Sequence, residues 1–261
     1  MPPIITLTTD FGSSSRYVAA MKGVILSISP NVRLIDITHS IPRQDIRAGG
    51  IALAETAPYF PAGTIHVAVV DPGVGTDRRI IYVEIGDGRY IAPDNGLLSQ
   101  LAARQQPRNI REVVDPRFWR PTVSATFHGR DIMAPVAAHL SLGISFEELG
   151  RPLSELTLLP LDEVTKVGKR ITGKVVEIDS FGNLMTDISR DALASVSSGE
   201  SVRITCDEHQ TLGIFRTYAD QPEMTFIALI GSSDRLELAI VGENAAAMLG
   251  VRVDTPVVVE W

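Results

Sequence analysis

Residues 65–85 read IHVAVVDPGVGTDRRIIYVEI: one apolar run, a turn containing Pro72, Gly73 and Gly75, and a second apolar run. The two runs predict strands, and the turn residues are those a short β-β connection needs. Asp71 then ends the first strand and Arg78 opens the second, so a tight hairpin turn would make them a facing charge pair. Taken locally, such a pair serves equally well as a structural clasp closing the hairpin. Other parts of the chain decide between the two uses.

Working outward, strands are predicted at 4–8, 33–37, 65–70 and 80–85, with a short one at Tyr90, and helices at 17–27, 46–57, 97–104 and 132–142. Strand and helix alternate to about residue 150, the pattern of an α/β sandwich-type domain around a mostly parallel sheet. Residues 151–168 form a connector rich in Pro and Leu, RPLSELTLLPLDEVTKVG. From 169 to 261 come short strands such as ITGKVVEID, LMTDI, SVRITC and VDTPVVVEW, which predict a carboxy-terminal all-β, barrel-like domain.

The 261 residues, 44% hydrophobic and 21% charged, are enough for two domains with sizeable cores. A net charge of −7 disfavours a nucleic-acid or anionic-membrane partner and favours a small molecule. The single cysteine, Cys206, allows neither an internal disulfide nor a cysteine metal cluster, and the start MPPIITLTTDFG lacks an export leader, so a cytoplasmic protein is expected.

Ligands of open α/β sheets bind beyond the carboxyl ends of the strands. Here those ends carry Thr8, Thr9 and Asp10 after the first strand, Asp71 after the third, Asp94 and Asn95 in the turn APDNGLL, and His128 before a helix. Singly, Asp10 reads as a helix cap, Asn95 as a turn residue, and His128 as a cap or a half-buried histidine. Together at one sheet edge they mark a cleft. The DFG at residues 10–12 has no upstream Gly-rich loop, which removes a kinase, and Arg78 stands where a dinucleotide-binding fingerprint needs its third glycine. Asp10, Asp71, Asp94, His128 and Asp131 could alternatively hold a divalent metal, though without any close ligand spacing.

Six blocks, TLTTDFG, VVDPGVGT with an arginine shortly after, APDNGLL, FHGRDIMAP, DSFGNLMTDI and GSSDRLELAI, follow one another in the order of a known family. The chain resembles the S-adenosyl-L-methionine hydroxide adenosyltransferases, relatives of the fluorinase and chlorinase enzymes. The resemblance implies hydrolysis of S-adenosylmethionine to adenosine and L-methionine by attack of water or hydroxide on the ribose C5′, with no cofactor or metal. It also implies a homotrimer with active sites between subunits. The family's hydrolytic set maps onto Asp71, Arg78 and His128, whereas halogenating members lack the arginine and histidine. By the same resemblance Asp10 holds the ribose diol, and Asp187, Ser233, Asn183 and Glu237 surround the methionine end. Phe181, Asn183, Asn244 and Ala245 then face adenine, with Ser232 and Asp234 in the turn beside Ser233.

The chemistry supplies its own reasons for the hydrolytic set. Attack on a sulfonium destroys charge, so a dry site favours it, and the water must be oriented by a cation and an acceptor. Arg78 and a neutral His128 would hold that water while Asp71 orients the arginine; a helix start beside His128 disfavours its protonated form. Spacing assigns Arg78 rather than Arg79 to Asp71, because adjacent strand residues point to opposite faces. A non-catalytic sensor of S-adenosylmethionine or adenosine and a halogenase-like enzyme remain alternatives.

Overall fold

In the computed structural model, which describes residues 2–161, 164–196, 199 and 201–261, the chain forms two units, 1–161 and 162–261. The first is built on a six-stranded sheet of β1 (Ile4–Thr9), β2 (Arg33–Thr38), β3 (Ile65–Val69), β4 (Ile80–Ile85), β5 (Gly88–Pro93) and β6 (Arg108–Glu112). Their spatial order is β2-β1-β3-β5-β4-β6. β2, β1, β3 and β5 run parallel, and β4 is antiparallel to both β5 and β6. The α/β class and the mostly parallel sheet are as the sequence predicts.

The expected hairpin between the two strands of the opening stretch is not formed. β5 lies between β3 and β4, paired parallel to β3 through Ile65↔Arg89 to Val67↔Ile91 and antiparallel to β4. The physical reason is burial: all five residues of β3 are buried, so both of its backbone edges need hydrogen-bonding strands, and these are β1 and β5. The tight hairpin sits instead at Gly86–Asp87, joining β4 to β5, with Gly86 at φ +57°.

Alternate residues of β3, and Val70 just after it, feed two cores. Val67 and Val69 join Ile5, Leu7, Met21 and Val136 on one face, and Ala68 and Val70 join Leu53, Ile81, Val83 and Leu101 on the other. Helix α1 (Arg16–Ile28) and α4 (Ala134–Ser141) cover the first face; α2 (Ile46–Thr56) and α3 (Ser99–Arg104) cover the second. α1 buries Val18, Met21 and Ile25 at helical spacing and is capped by Ser15, whose Oγ accepts from the Tyr17 amide. α2 is capped by Asp45 through the Ala48 amide at 2.9 Å. Fully burying one Ile or Leu of these stripes contributes about 1.5–3 kcal/mol.

The segment after residue 150 is divided between the units. Leu153 N donates to Ile110 O, Thr157 N to Asp94 Oδ1 and Leu159 N to the Ser99 hydroxyl, so this part packs on the first unit. Thr165–Val167 is already a strand, β7. The second unit adds β8 (Arg170–Ile178), β9 (Leu184–Ser189), β10 (Arg203–Cys206), β11 (His209–Leu212), β12 (Phe226–Ile230), β13 (Arg235–Ile240), helix α5 (Ala245–Leu249) and β14 (Pro256–Glu260). The order β11-β10-β14-β8-β9-β13-β12, antiparallel throughout, gives a nearly closed barrel around Ile171, Val175, Leu184, Leu238 and Val259.

Candidate active site

The ten residues from Val70 to Arg79 leave β3, cross the carboxyl end of β5 and return to β4, and this excursion carries the charge pair. Arg78 Nε donates to Asp71 Oδ1 at 2.9 Å and Oδ2 at 3.0 Å, and Nη2 to Oδ2 at 2.5 Å. Both side chains are nearly buried, 11% and 6% exposed. The neighbouring Arg79 turns away and donates through Nε to Asp94 Oδ2 at 2.8 Å. Each arginine thus has its own carboxylate.

The second Arg78 Nη2 contact is the informative one: it lies 2.9 Å from His128 Nδ1. A guanidinium only donates, so Nδ1 accepts, and the ring is neutral with its proton on Nε2. Burial, and then the Arg78 charge, hold the imidazole below its usual value near 6.5, against opposing pulls from Asp71 and Asp131. His128 stands just before a π-helical turn, Gly129–Met133, that runs into α4.

Asp71 and His128 line a cleft of about 260 Å³ together with Asp10, Phe11, Gln44 and Phe127. Asp10 does not cap a helix. Its Oδ2 accepts from the Gln44 amide at 2.8 Å, and no other described residue engages its carboxylate. Gln44 reaches that position with φ at +63°, a left-handed conformation uncommon for a side-chain-bearing residue. Arg43, also on the cleft, has no ion-pair partner among the described residues.

Asp94 and Asn95 do not face this cleft. Asp94 is held by Arg79 and the Thr157 amide, and Asn95 spans Val70 O and the Leu97 amide, anchoring the start of the excursion. The five residues considered as metal ligands are therefore not gathered: Asp71, Asp94 and Asp131 are each committed to arginine. Among the described residues no group of three or more His, Cys, Asp or Glu converges on a common point.

In the second unit the turn 179–183 and the start of α5 come together. Asp179 accepts from the Phe181 and Asn183 amides and from Asn183 Nδ2, the Phe181 ring stands 76% exposed, and Ala246 N donates to Gly182 O. Asn244 caps α5 through the Ala247 amide and Ala245 is buried beneath it. Glu237, 4% exposed, accepts from the Tyr218 hydroxyl; burial and the nearby Asp179 charge raise its carboxyl above the usual range while Tyr218 opposes them. The Ser233 hydroxyl is buried without a partner among the described residues, and Ser232 is exposed. Asp187 lies apart on β9, accepting from the Lys174 amide.

Several cleft residues escape sequence reasoning. Phe127 looks like core, and Arg43 and Gln44 look like loop; the Asp45 helix cap that follows them is the one local sign that the chain turns there.

Comparison with known proteins identifies the chain's relatives. The family model described as the SAM hydroxide adenosyltransferase N-terminal domain matches residues 5–150, and that of the C-terminal domain residues 173–258. A protein of Salinispora tropica named (R)-S-adenosyl-L-methionine hydrolase is 39% identical over 95% of this chain and 94% of its own length. One of the same name from Thermus thermophilus is 36% identical over 98% and 99%, and a fluorinase of Nocardia brasiliensis is 30% identical over 94% and 92%. The crystal structure of an uncharacterized conserved protein from Thermotoga maritima superposes with a TM-score of 0.94 at 32% identity, covering 98% of this chain and all of that one. A conserved hypothetical protein from Thermus thermophilus superposes at 0.78 with 33% identity, over 99% and 100%. With both family models matched in order and relatives aligned over nearly its whole length, the chain belongs to the SAM hydroxide adenosyltransferase family.

Proposed function

We propose that the protein hydrolyses S-adenosyl-L-methionine to adenosine and L-methionine, with water attacking the ribose C5′. The observation that carries this reading is the Asp71–Arg78–His128 line, in which a buried carboxylate fixes a guanidinium that faces the lone pair of a neutral imidazole. A water that displaced the direct Arg78–His128 hydrogen bond would accept from the cation and donate to the freed Nδ1, so that its remaining lone pair faces C5′ and Nδ1 takes its proton as the bond forms. The oxygen–C5′ bond forms as the C5′–sulfur bond breaks, and its electron pair leaves on sulfur as the neutral thioether of methionine.

Asp10, which lines the cleft and accepts only from the Gln44 amide among the described residues, would accept from the ribose diol. Residues Asn183, Ser233 and Glu237 serve the amino-acid end, with Asp187 a further candidate, and Phe181, Asn244 and Ala245 the adenine. We assign these by family membership, together with a homotrimer whose sites lie between subunits, a cytoplasmic location, and no cofactor or metal. No described helix is long and apolar enough to cross a membrane.

Incubation with S-adenosylmethionine in ¹⁸O-water, with and without EDTA, tests the reading by mass spectrometry. Label in the 5′ hydroxyl of adenosine, at a rate unchanged by chelator, is expected. Intact substrate recovered bound to the protein would replace the hydrolase with a sensor, and 5′-halo-adenosine formed in preference to adenosine when chloride is added would replace it with a halogenase.

A further inference from the structure

Three residues beyond His128, one carboxylate organises the wall of the cleft. Asp131 is fully buried and accepts four side-chain or amide hydrogen bonds: Arg120 Nη1 at 2.8 Å, Arg130 Nε at 2.7 Å and Nη2 at 2.8 Å, and Ser124 N at 2.9 Å. Its own carbonyl accepts from the Arg120 amide at 2.9 Å. Burial alone would raise its pKa; Arg130, the Ser124 amide and Arg120 outweigh it and hold the group at about 2. It is charged at any pH where the protein works.

These contacts reach the cleft along two routes. The Arg130 guanidinium that forks onto Asp131 also lies 4.9 Å from the Phe127 ring centroid, and Phe127 packs edge-on against Phe11 at 5.8 Å and Tyr17 at 5.2 Å. The Ser124 amide ties down the segment leading to His128, and that segment is seated on the excursion carrying Asp71 and Arg78: a Cβ on Gly75 would stand 2.4 Å from Ala125 O. The carboxylate also lies within a π-helical turn, a local widening that recurs at functional sites.

We propose that Asp131 is the positioning residue of this site: by gathering Arg120, Arg130 and the Ser124 amide it sets segment 124–128, and with it His128 and Phe127, against the Asp71–Arg78 pair. The role is defined for the hydrolytic reading above and rests on it. His128 is faced by Arg78 and Asp71 from the excursion and by Asp131 from its own helix; Asp10 and Arg43 line the same cleft from the β1 and α2 ends, and Arg120 and Arg130 both pair with Asp131, whose single charge offsets one of the two. The negative charge of Asp131 pulls the imidazole upward, so its removal lowers His128 further.

The test pairs Asp131→Asn with Arg130→Gln. Arg130 is 30% exposed, and its loss leaves the carboxylate on Arg120 and Ser124, so the second variant should fold even where the first does not. In both, kcat is expected to fall by on the order of 10- to 100-fold with KM little changed, because the displaced group acts on water rather than on binding. In Asp131→Asn, the His128 pKa followed by NMR, and with it the acid limb of kcat/KM, should move to lower pH than in the unmodified protein. Arg130→Lys, which keeps the charge without the fork, should recover part of the lost rate. Unchanged kcat and an unmoved His128 titration overturn the proposal, as does a rise in KM at constant kcat. Absence of turnover in the unmodified protein would instead refute the hydrolase reading, while the substrate-free titration would still decide whether Asp131 governs the imidazole.

Discussion

Asp71→Asn keeps the shape of the side chain and one hydrogen-bond acceptor but removes the charge from a nearly buried pair. Arg78 makes three contacts to that carboxylate, and its side chain is only 11% exposed, so the guanidinium is left without compensation in a poorly hydrated place. Removing one partner of a buried pair costs about 3–5 kcal/mol; the hydrogen bond that Asn retains brings the expected loss to about 2–3 kcal/mol. For a unit of this size that is a fall in Tm of roughly 5–10 °C. Because Arg78 also loses its orientation toward His128, kcat should drop by on the order of 100-fold. Urea unfolding of Asp71→Asn, Arg78→Gln and the double variant closes a double-mutant cycle, in which a coupling of about 2 kcal/mol is expected. Additivity within about 0.5 kcal/mol, with kcat intact, would refute the view that the two side chains act as one unit.

Activity of the unmodified protein should fall on the acid side with a midpoint below the ordinary imidazole value of 6.5, since the folded-state pKa of His128 is depressed and the neutral ring is the working form; a pH profile of kcat/KM checks this. By linkage, whatever stability the neutral imidazole contributes is present above the unfolded value and is lost as pH falls through the lower folded one. His128→Ala should lose on the order of 10²–10⁴-fold in kcat near neutral pH, measured by adenosine release. Gly75→Ala forces a side chain into φ +81° and into Ala125 O, and should destabilise by about 1–3 kcal/mol in urea titration while lowering kcat more than it raises KM. Cys206, fully buried with its thiol pushed up to about 11 by burial and then by Asp207, should resist thiol reagents until the protein is unfolded.

The strand ends of the first unit were readable because β1 and β3 are buried apolar runs that stop abruptly at polar residues. The pairing of β3 was not. Pro72, Gly73 and Gly75 announce a reversal of the chain, but nothing local says that a later segment will insert between the strands it joins. β6, RNIRE, is an edge strand with no buried position, and its charges hide it from any hydrophobic pattern. The helix predicted from 132 begins at 129 with a π turn, within which Asp131 accepts from Arg120, a tertiary contact that local propensity does not reveal. Asp71, Arg78, His128 and Asp10 were legible as a group; the structure brings Asp71, His128 and Asp10 to one cleft with Arg78 bonded to the first two, whereas Asp94 and Asn95, which look the same in sequence, hold the excursion and the segment 152–159 in place.

Because β5 separates β3 from β4, residues 70–79 behave as an arch with two piers rather than as the tip of a hairpin. The piers stand about two strand spacings apart, roughly 10 Å, and each is anchored by its own ladder. Asp71 rises from one pier and Arg78 from the other, so their meeting is dictated by the sheet and not by the crown between them. Lengthening the crown would cost little chain entropy, about 0.6 kcal/mol per doubling, and would leave both piers where they are. What it would disturb is the strut at Gly75 and Ala125. Evolution can therefore vary this arch in length without dissolving the ion pair, altering instead the footing of the segment that presents His128.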